Sequence, residues 1–128
     1  MLAASATLAA CATGPSARCK PDEQPAVLDT LYFGTAKPDG TVTPEQWSEF
    51  LEKVVTPRFP QGLTVTEAHG QWQMQSGSIE RERSYVVQIM HPDTPQSDTA
   101  VREIARTYKQ QFRQEAVLRT RSPVCMAF

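Results

Sequence analysis

Apolar residues recur at helical spacing in two stretches of this chain and at alternate positions in the stretches around them. That order of periods constrains the fold more than any other feature. Trp47, Phe50, Leu51, Val54 and Val55 recur at i, i+3, i+4, i+7 and i+8 and mark one face of a helix. Thr43 supplies its N-cap, Pro44 its first position and Gln46 a capping box, while Pro57 and Pro60 end it. A second stripe, Val101, Ile104, Ala105, Tyr108 and Phe112, follows a cap at Ser97 or Asp98, with Arg102, Arg106, Lys109 and Arg113 on the outer side. Residues 28–34 read as a strand in which Leu31 and Phe33 point one way and Thr30 and Tyr32 the other. Residues 63–74 and 79–90 read as two more, and residues 116–120 and 124–128 as a last strand split by Pro123, hence bent or at an edge. The order β-α-β-β-α-β is the split βαβ signature of the α+β ferredoxin-like fold, a four-stranded antiparallel sheet with two helices on one face.

The central hairpin leaves its register open. A two-residue turn at Ser76-Gly77 pairs Trp72 with Arg81, which would allow a cation–π contact. Apolar matching instead wants Leu63 against Ile89 and Val65 against Val87, and needs either a one-residue bulge near Gly70 or a three-residue turn. Gly70 then reads as a backbone feature and His69 as its bulge neighbour.

Ahead of this domain the composition changes. Residues 1–10 (MLAASATLAA) are uncharged and small or apolar, and Leu8-Ala9-Ala10-Cys11 resembles a bacterial lipobox. In that reading residues 1–10 are a signal peptide remnant, Cys11 is the lipidated first mature residue, and residues 11–26, rich in Pro, Ser and charge, are a tether to a single domain at 27–128. A signal peptide carries a basic n-region and none is present, so the leader is expected to begin upstream. Ala12 after the Cys points to outer-membrane sorting facing the periplasm. Of three Cys, lipidation of Cys11 leaves Cys19 and Cys125 as a pair suited to an oxidising compartment; two unrelated thiols are the other possibility.

Thirteen basic and fourteen acidic residues give a net charge of -1, which disfavours a nucleic-acid binder. No apolar run reaches the length of a membrane-spanning helix. His69 and His91 are far apart and lack Cys or acidic partners at ligand spacing, so no metal or cofactor is implied, and His91, before Pro92, reads as a surface residue. No nucleophile elbow or phosphate-cradling glycine loop is present. The best polar constellation is on the third strand. Glu82 and Ser84 share a face by period two, next to Thr30 and Tyr32 of the first strand. A carboxylate among hydroxyls suits a polar ligand or a general base, and a solvated sheet face with cross-strand pairs is the plainer reading.

Leu31-Tyr32-Phe33-Gly34, Gly62-Leu63-Thr64-Val65, Gly70-Gln71-Trp72, Arg81-Glu82-Arg83-Ser84 and Tyr108-Lys109-Gln110-Gln111-Phe112 occur in this order. Together they resemble the bacterial family known as domain of unknown function 3574, over about residues 29–128. The resemblance implies an exported lipoprotein and carries no activity or catalytic residue. The functional expectation is therefore a lipid-anchored periplasmic binding or interaction module. Its candidate contact residues are Tyr32, Glu82, Ser84, Trp72 and Arg81, and it would pair face to face with a second copy. The alternative is a ligand-binding protein or enzyme of the dimeric α+β barrel type with Glu82 as acid or base.

Overall fold

The computed structural model describes residues 18–128. The leader, Cys11 and the rest of the expected tether up to residue 17 lie outside the described residues. Strand β1 (Gln24–Gly34) leads into a two-residue-strand hairpin, β2 (Ala36–Lys37) and β3 (Gly40–Thr41), then helix α1 (Pro44–Phe50). Strands β4 (Thr64–Gln73) and β5 (Ile79–His91), helix α2 (Pro95–Phe112) and strand β6 (Leu118–Met126) complete the chain. The sheet order is β4-β5-β1-β6, all antiparallel, the α+β arrangement expected from the sequence. Among the described residues no helix is long and apolar enough to cross a membrane.

Each helix begins where its capping chemistry lies. Thr43 Oγ1 accepts from the Gln46 amide while the Gln46 side chain accepts from the Thr43 amide, so two orphan donors of the first turn are satisfied reciprocally. After Phe50 the helix widens into a π turn over Leu51–Val55, which places Val55 fully in the core. The cap of α2 is Thr94, followed by Pro95, rather than Ser97 or Asp98: Thr94 Oγ1 accepts from the Ser97 amide. Asp98 is thereby left free for side-chain pairing.

Between the helices and the sheet lies an aromatic core. Trp47 stacks on Tyr85 with ring centroids 4.3 Å apart, and Tyr108 meets Phe33 edge-on at 4.7 Å. Leu31, Phe33, Val87, Ile89, Val101, Ile104 and Tyr108 are wholly buried. The Tyr108 hydroxyl donates to the Gly34 carbonyl at 2.7 Å, and burial raises its pKa far above the usual phenol value.

The hairpin register is settled by a three-residue turn. Val65 pairs with Val87, Gly70 with Glu82 and Trp72 with Glu80 in one uninterrupted ladder. Gly77, at φ 89°, turns the chain where a side chain would be strained. No bulge forms at Gly70, and His69 is an ordinary ladder residue opposite Arg83. Arg81 lies opposite Gln71, which accepts from its Nε at 2.8 Å, so Trp72 and Arg81 point to opposite faces and the cation–π pair does not form.

β1 starts at Gln24, inside the stretch expected to be tether, and Ala26 is buried. β6 runs unbroken through Pro123 because it is an edge strand, with β1 as its one neighbour, where a missing N–H faces outward at no cost. Cys19, before β1, and Cys125, near the end of β6, are joined by a disulfide.

Candidate functional site

Register divides the strand residues into two faces of opposite chemistry. Toward the helices point Asp29, Leu31, Phe33, Tyr85, Val87, Ile89, His91, Arg119 and Arg121. The other face has no helix over it. It carries Leu28, Thr30, Tyr32, Ser84, Val86, Gln88, Met90, Leu118, Thr120 and Val124, with β4 adding Thr64, Thr66, Ala68 and Trp72. Glu80 and Glu82, side by side at one end, are the charged strand residues on this face. Tyr32, Trp72, Met90 and Leu118 are each at least 40% exposed there.

The structure brings Tyr32, Ser84 and Glu82 to this face, and Trp72 joins them at the projecting end of the hairpin. Glu82 is half-buried, and its Oε2 accepts from the amides of Thr35 and Ala36 at 3.2 and 3.0 Å. A carboxylate thus closes the end of β1, where the ladder has run out of strand partners. Gly34 makes room for it: a Cβ at that position would sit 2.7 Å from Glu82 Oε1. Gly34→Ala is therefore expected to displace the carboxylate, free two amides and cost about 1–3 kcal/mol. In a Glu82→Ala background the same substitution should cost less than about 1 kcal/mol. Urea denaturation of the four chains measures the difference, and equal costs in both backgrounds would remove this account of Gly34.

On the helix side, the sheet buries an ionic cluster that the sequence reading passed over. Asp29 is completely buried, yet lies between Leu31 and Val27 on the core face of β1. Arg119, from the neighbouring strand, donates from Nε to Asp29 Oδ1 at 2.6 Å and from Nη2 to Oδ2 at 2.7 Å, a bidentate pair. His91 Nε2 meets Asp29 Oδ2 at 2.7 Å and Nδ1 meets the Pro92 carbonyl at 2.8 Å. His91 is 3% exposed, so the surface reading of this residue is corrected: as the last residue of β5 it falls in the buried register of Tyr85, Val87 and Ile89. Asp98, the helix residue freed by Thr94, accepts from Arg119 Nη1 at 2.9 Å and from Arg102 Nε at 2.8 Å.

Burial pushes the Asp29 carboxyl up, but the hydrogen bonds and charges of Arg119 and His91 outweigh it and hold the group below its ordinary value. Arg119 is raised by the hydrogen bond to Asp29. Both His91 nitrogens face oxygens that can only accept, a carbonyl and an ionised carboxylate. The doubly protonated ring is the form that makes both bonds.

Beside this cluster lies a cavity of about 360 Å³ between the loop 56–63 and the start of α2, with His91 and Phe59 in its wall. A shallower groove of about 330 Å³ touches Trp72 and Glu82. Cys19, Cys125 and Glu23 form the one cluster with metal-ligand geometry among the described residues, and the disulfide takes both sulfurs.

The family model described as protein of unknown function (DUF3574) matches residues 28–128. No curated protein matches the chain. Among solved structures, a phage SAM lyase in complex with S-methyl-5'-thioadenosine overlays with a TM-score of 0.56 at 15% identity, covering 90% of this chain and 97% of that one. The same kind of enzyme in its apo state gives 0.57 at 14% identity, covering 80% and 89%. These likenesses establish a shared fold.

Proposed function

The chain belongs to the DUF3574 family of proteins of unknown function, and we propose that it is an exported, lipid-anchored module that acts by pairing its open sheet face with a second copy. The observation that carries the reading is the chemistry of that face. Solvated strands usually alternate core residues with charged ones, but here the outward positions are Thr, Ser, Gln, aliphatic and aromatic residues, with charge confined to Glu80 and Glu82. Depletion of charge around exposed aromatic and aliphatic residues distinguishes interface cores from ordinary surface. Four strands of about nine residues present a face of roughly 20 by 30 Å, on the order of 600 Å² in projection. That approaches the ~800 Å² per partner of a stable interface. A net charge of -1 sets little repulsion against self-association.

Lipidation of Cys11 supports the location: an acyl anchor would hold the domain at the periplasmic side of the outer membrane, concentrating copies on one surface. A Cys19–Cys125 bridge suits that oxidising space. Face-to-face closure would also enclose Glu82 between two sheets, the arrangement the barrel-type enzyme alternative requires. Its bonds to Thr35 and Ala36 favour a structural duty for that carboxylate instead.

The test uses the full chain with Cys11→Ser, which removes the acyl group. Analytical ultracentrifugation at tens of micromolar should give twice the 14.2 kDa chain mass. Leu118→Glu and Tyr32→Glu, each placing an unpaired charge within the contact, should return it to 14.2 kDa. A monomeric Cys11→Ser chain would overturn the pairing. Intact mass of the native chain extracted from membranes checks the anchor separately.

A further inference from the structure

We propose that the cavity over His91 binds a small organic anion, a carboxylate carried on an apolar body. The site is on the helix side of the sheet and does not depend on pairing through the open face. Phe59, Pro60 and Ala100 give it apolar walls, while Arg58, Gln61 and Gln96 supply donors at its rim. No carboxylate lines it among the described residues. The Arg58 guanidinium is only loosely held: Nη1 donates to the Val54 carbonyl at 2.7 Å, and the nearest acid, Glu103, is 3.6 Å from Nε. One edge of that guanidinium remains for a ligand, and a forked donor of this kind suits a carboxylate.

The wall behind sets no net negative charge against such a ligand. The cluster beneath the cavity sets two arginines, Arg102 and Arg119, against two carboxylates, Asp29 and Asp98. The pair Arg121–Asp93 adds one charge of each sign. Apolar walls select an organic anion over a hydrated inorganic one, since filling them removes carbon surface from water on both partners.

The probe is benzoate, with benzamide as its uncharged counterpart, titrated into the Cys11→Ser chain and followed by NMR. Benzoate should shift the side-chain amides of Gln61 and Gln96 and the Ala100 methyl along one saturable curve in the millimolar range, and benzamide at least about tenfold less strongly. Arg58→Gln should weaken benzoate binding about tenfold, the loss of one charge-assisted contact. Ala100→Leu, which fills the cavity without touching charge, should abolish the shifts. Overturning results are the absence of a saturable response at these three residues, an equal response to benzamide, or undiminished binding in both variants. The first two are read on the chain with both sites intact and so do not depend on how the variants fold.

Discussion

Asp29→Ala is expected to lower the unfolding free energy by about 3–5 kcal/mol. The side chain itself is small and makes no apolar contact worth that much. Its removal leaves the buried His91 without its carboxylate and strips the half-buried Arg119 of a bidentate partner, with Asp98 remaining to it, and breaking such a pair from one side costs several kcal/mol. Urea denaturation followed by Trp fluorescence gives the loss as a shift in midpoint at constant slope. A loss below about 1 kcal/mol would mean that water reaches the cluster and screens it. The combined replacement Asp29→Leu, Arg119→Met and His91→Phe removes the three groups that meet at Asp29, leaves Asp98 paired with Arg102, and should recover most of the stability. It is breaking such a cluster, rather than lacking it, that is costly.

The same residue sets an acid limit. Asp29 titrates below its ordinary 3.8 in the folded chain, so on acidification the unfolded chain takes up the proton first. The stability it contributes is complete above the unfolded value and is lost as pH falls through the folded one. Asp98, held down by Arg119 and Arg102, acts in the same direction. Stability measured from pH 6 downward should therefore fall below about pH 4, and Asp29→Asn should flatten that slope.

The second large effect is expected from the Cys19→Ser, Cys125→Ser double variant, at about 2–5 kcal/mol. The bridge closes a loop with a sequence separation of 106, nearly the whole described chain. In the chain-entropy account a loop of that size restricts the unfolded state by about 4.7 kcal/mol, and measured losses generally fall somewhat short. Neither Cys touches the cluster of Phe33, Trp47, Phe50 and Tyr108, so the double variant should still unfold in one cooperative step, at a lower midpoint. An unchanged midpoint would show that the unfolded chain gains little freedom from cutting the link.

The fold was legible because its signals are local and redundant. The capping box at Thr43, the helical stripe from Val101 to Phe112 and the alternation around Leu31 each name their element from a few adjacent residues. The hairpin register was narrowed to two solutions by apolar matching, and only the turn geometry at Gly77 chose between them. What the sequence reading missed was the ionic cluster. Its members, Asp29, His91, Asp98 and Arg119, lie far apart along the chain and meet only once four elements have packed. Parity held the clue, since Asp29 shares a face with Leu31 and Phe33, and His91 with Val87 and Ile89. A charged residue in the buried register implies a partner, but nothing local names Arg119 as that partner. Pairing between β1 and β6 sets Arg121 directly opposite Asp29 and Arg119 on the diagonal, and only the packed side chains make Arg119 the partner. The open face was legible in outline through Tyr32, Glu82 and Ser84, but its freedom from charge became apparent only when β6 took its place at the edge.

The covalent link between the segment ahead of β1 and the end of β6 also determines how the molecule bears a pull. Because the two strands run antiparallel, the start of one and the finish of the other lie at the same end of the sheet. Traction on residues upstream of Cys19 is divided between both strands and draws them in one direction, so the hydrogen bonds joining them are neither peeled nor sheared. The load passes inward to the ladder between β1 and β5, the best buried in the molecule, and a domain held on a leash there resists being unravelled from its leashed end.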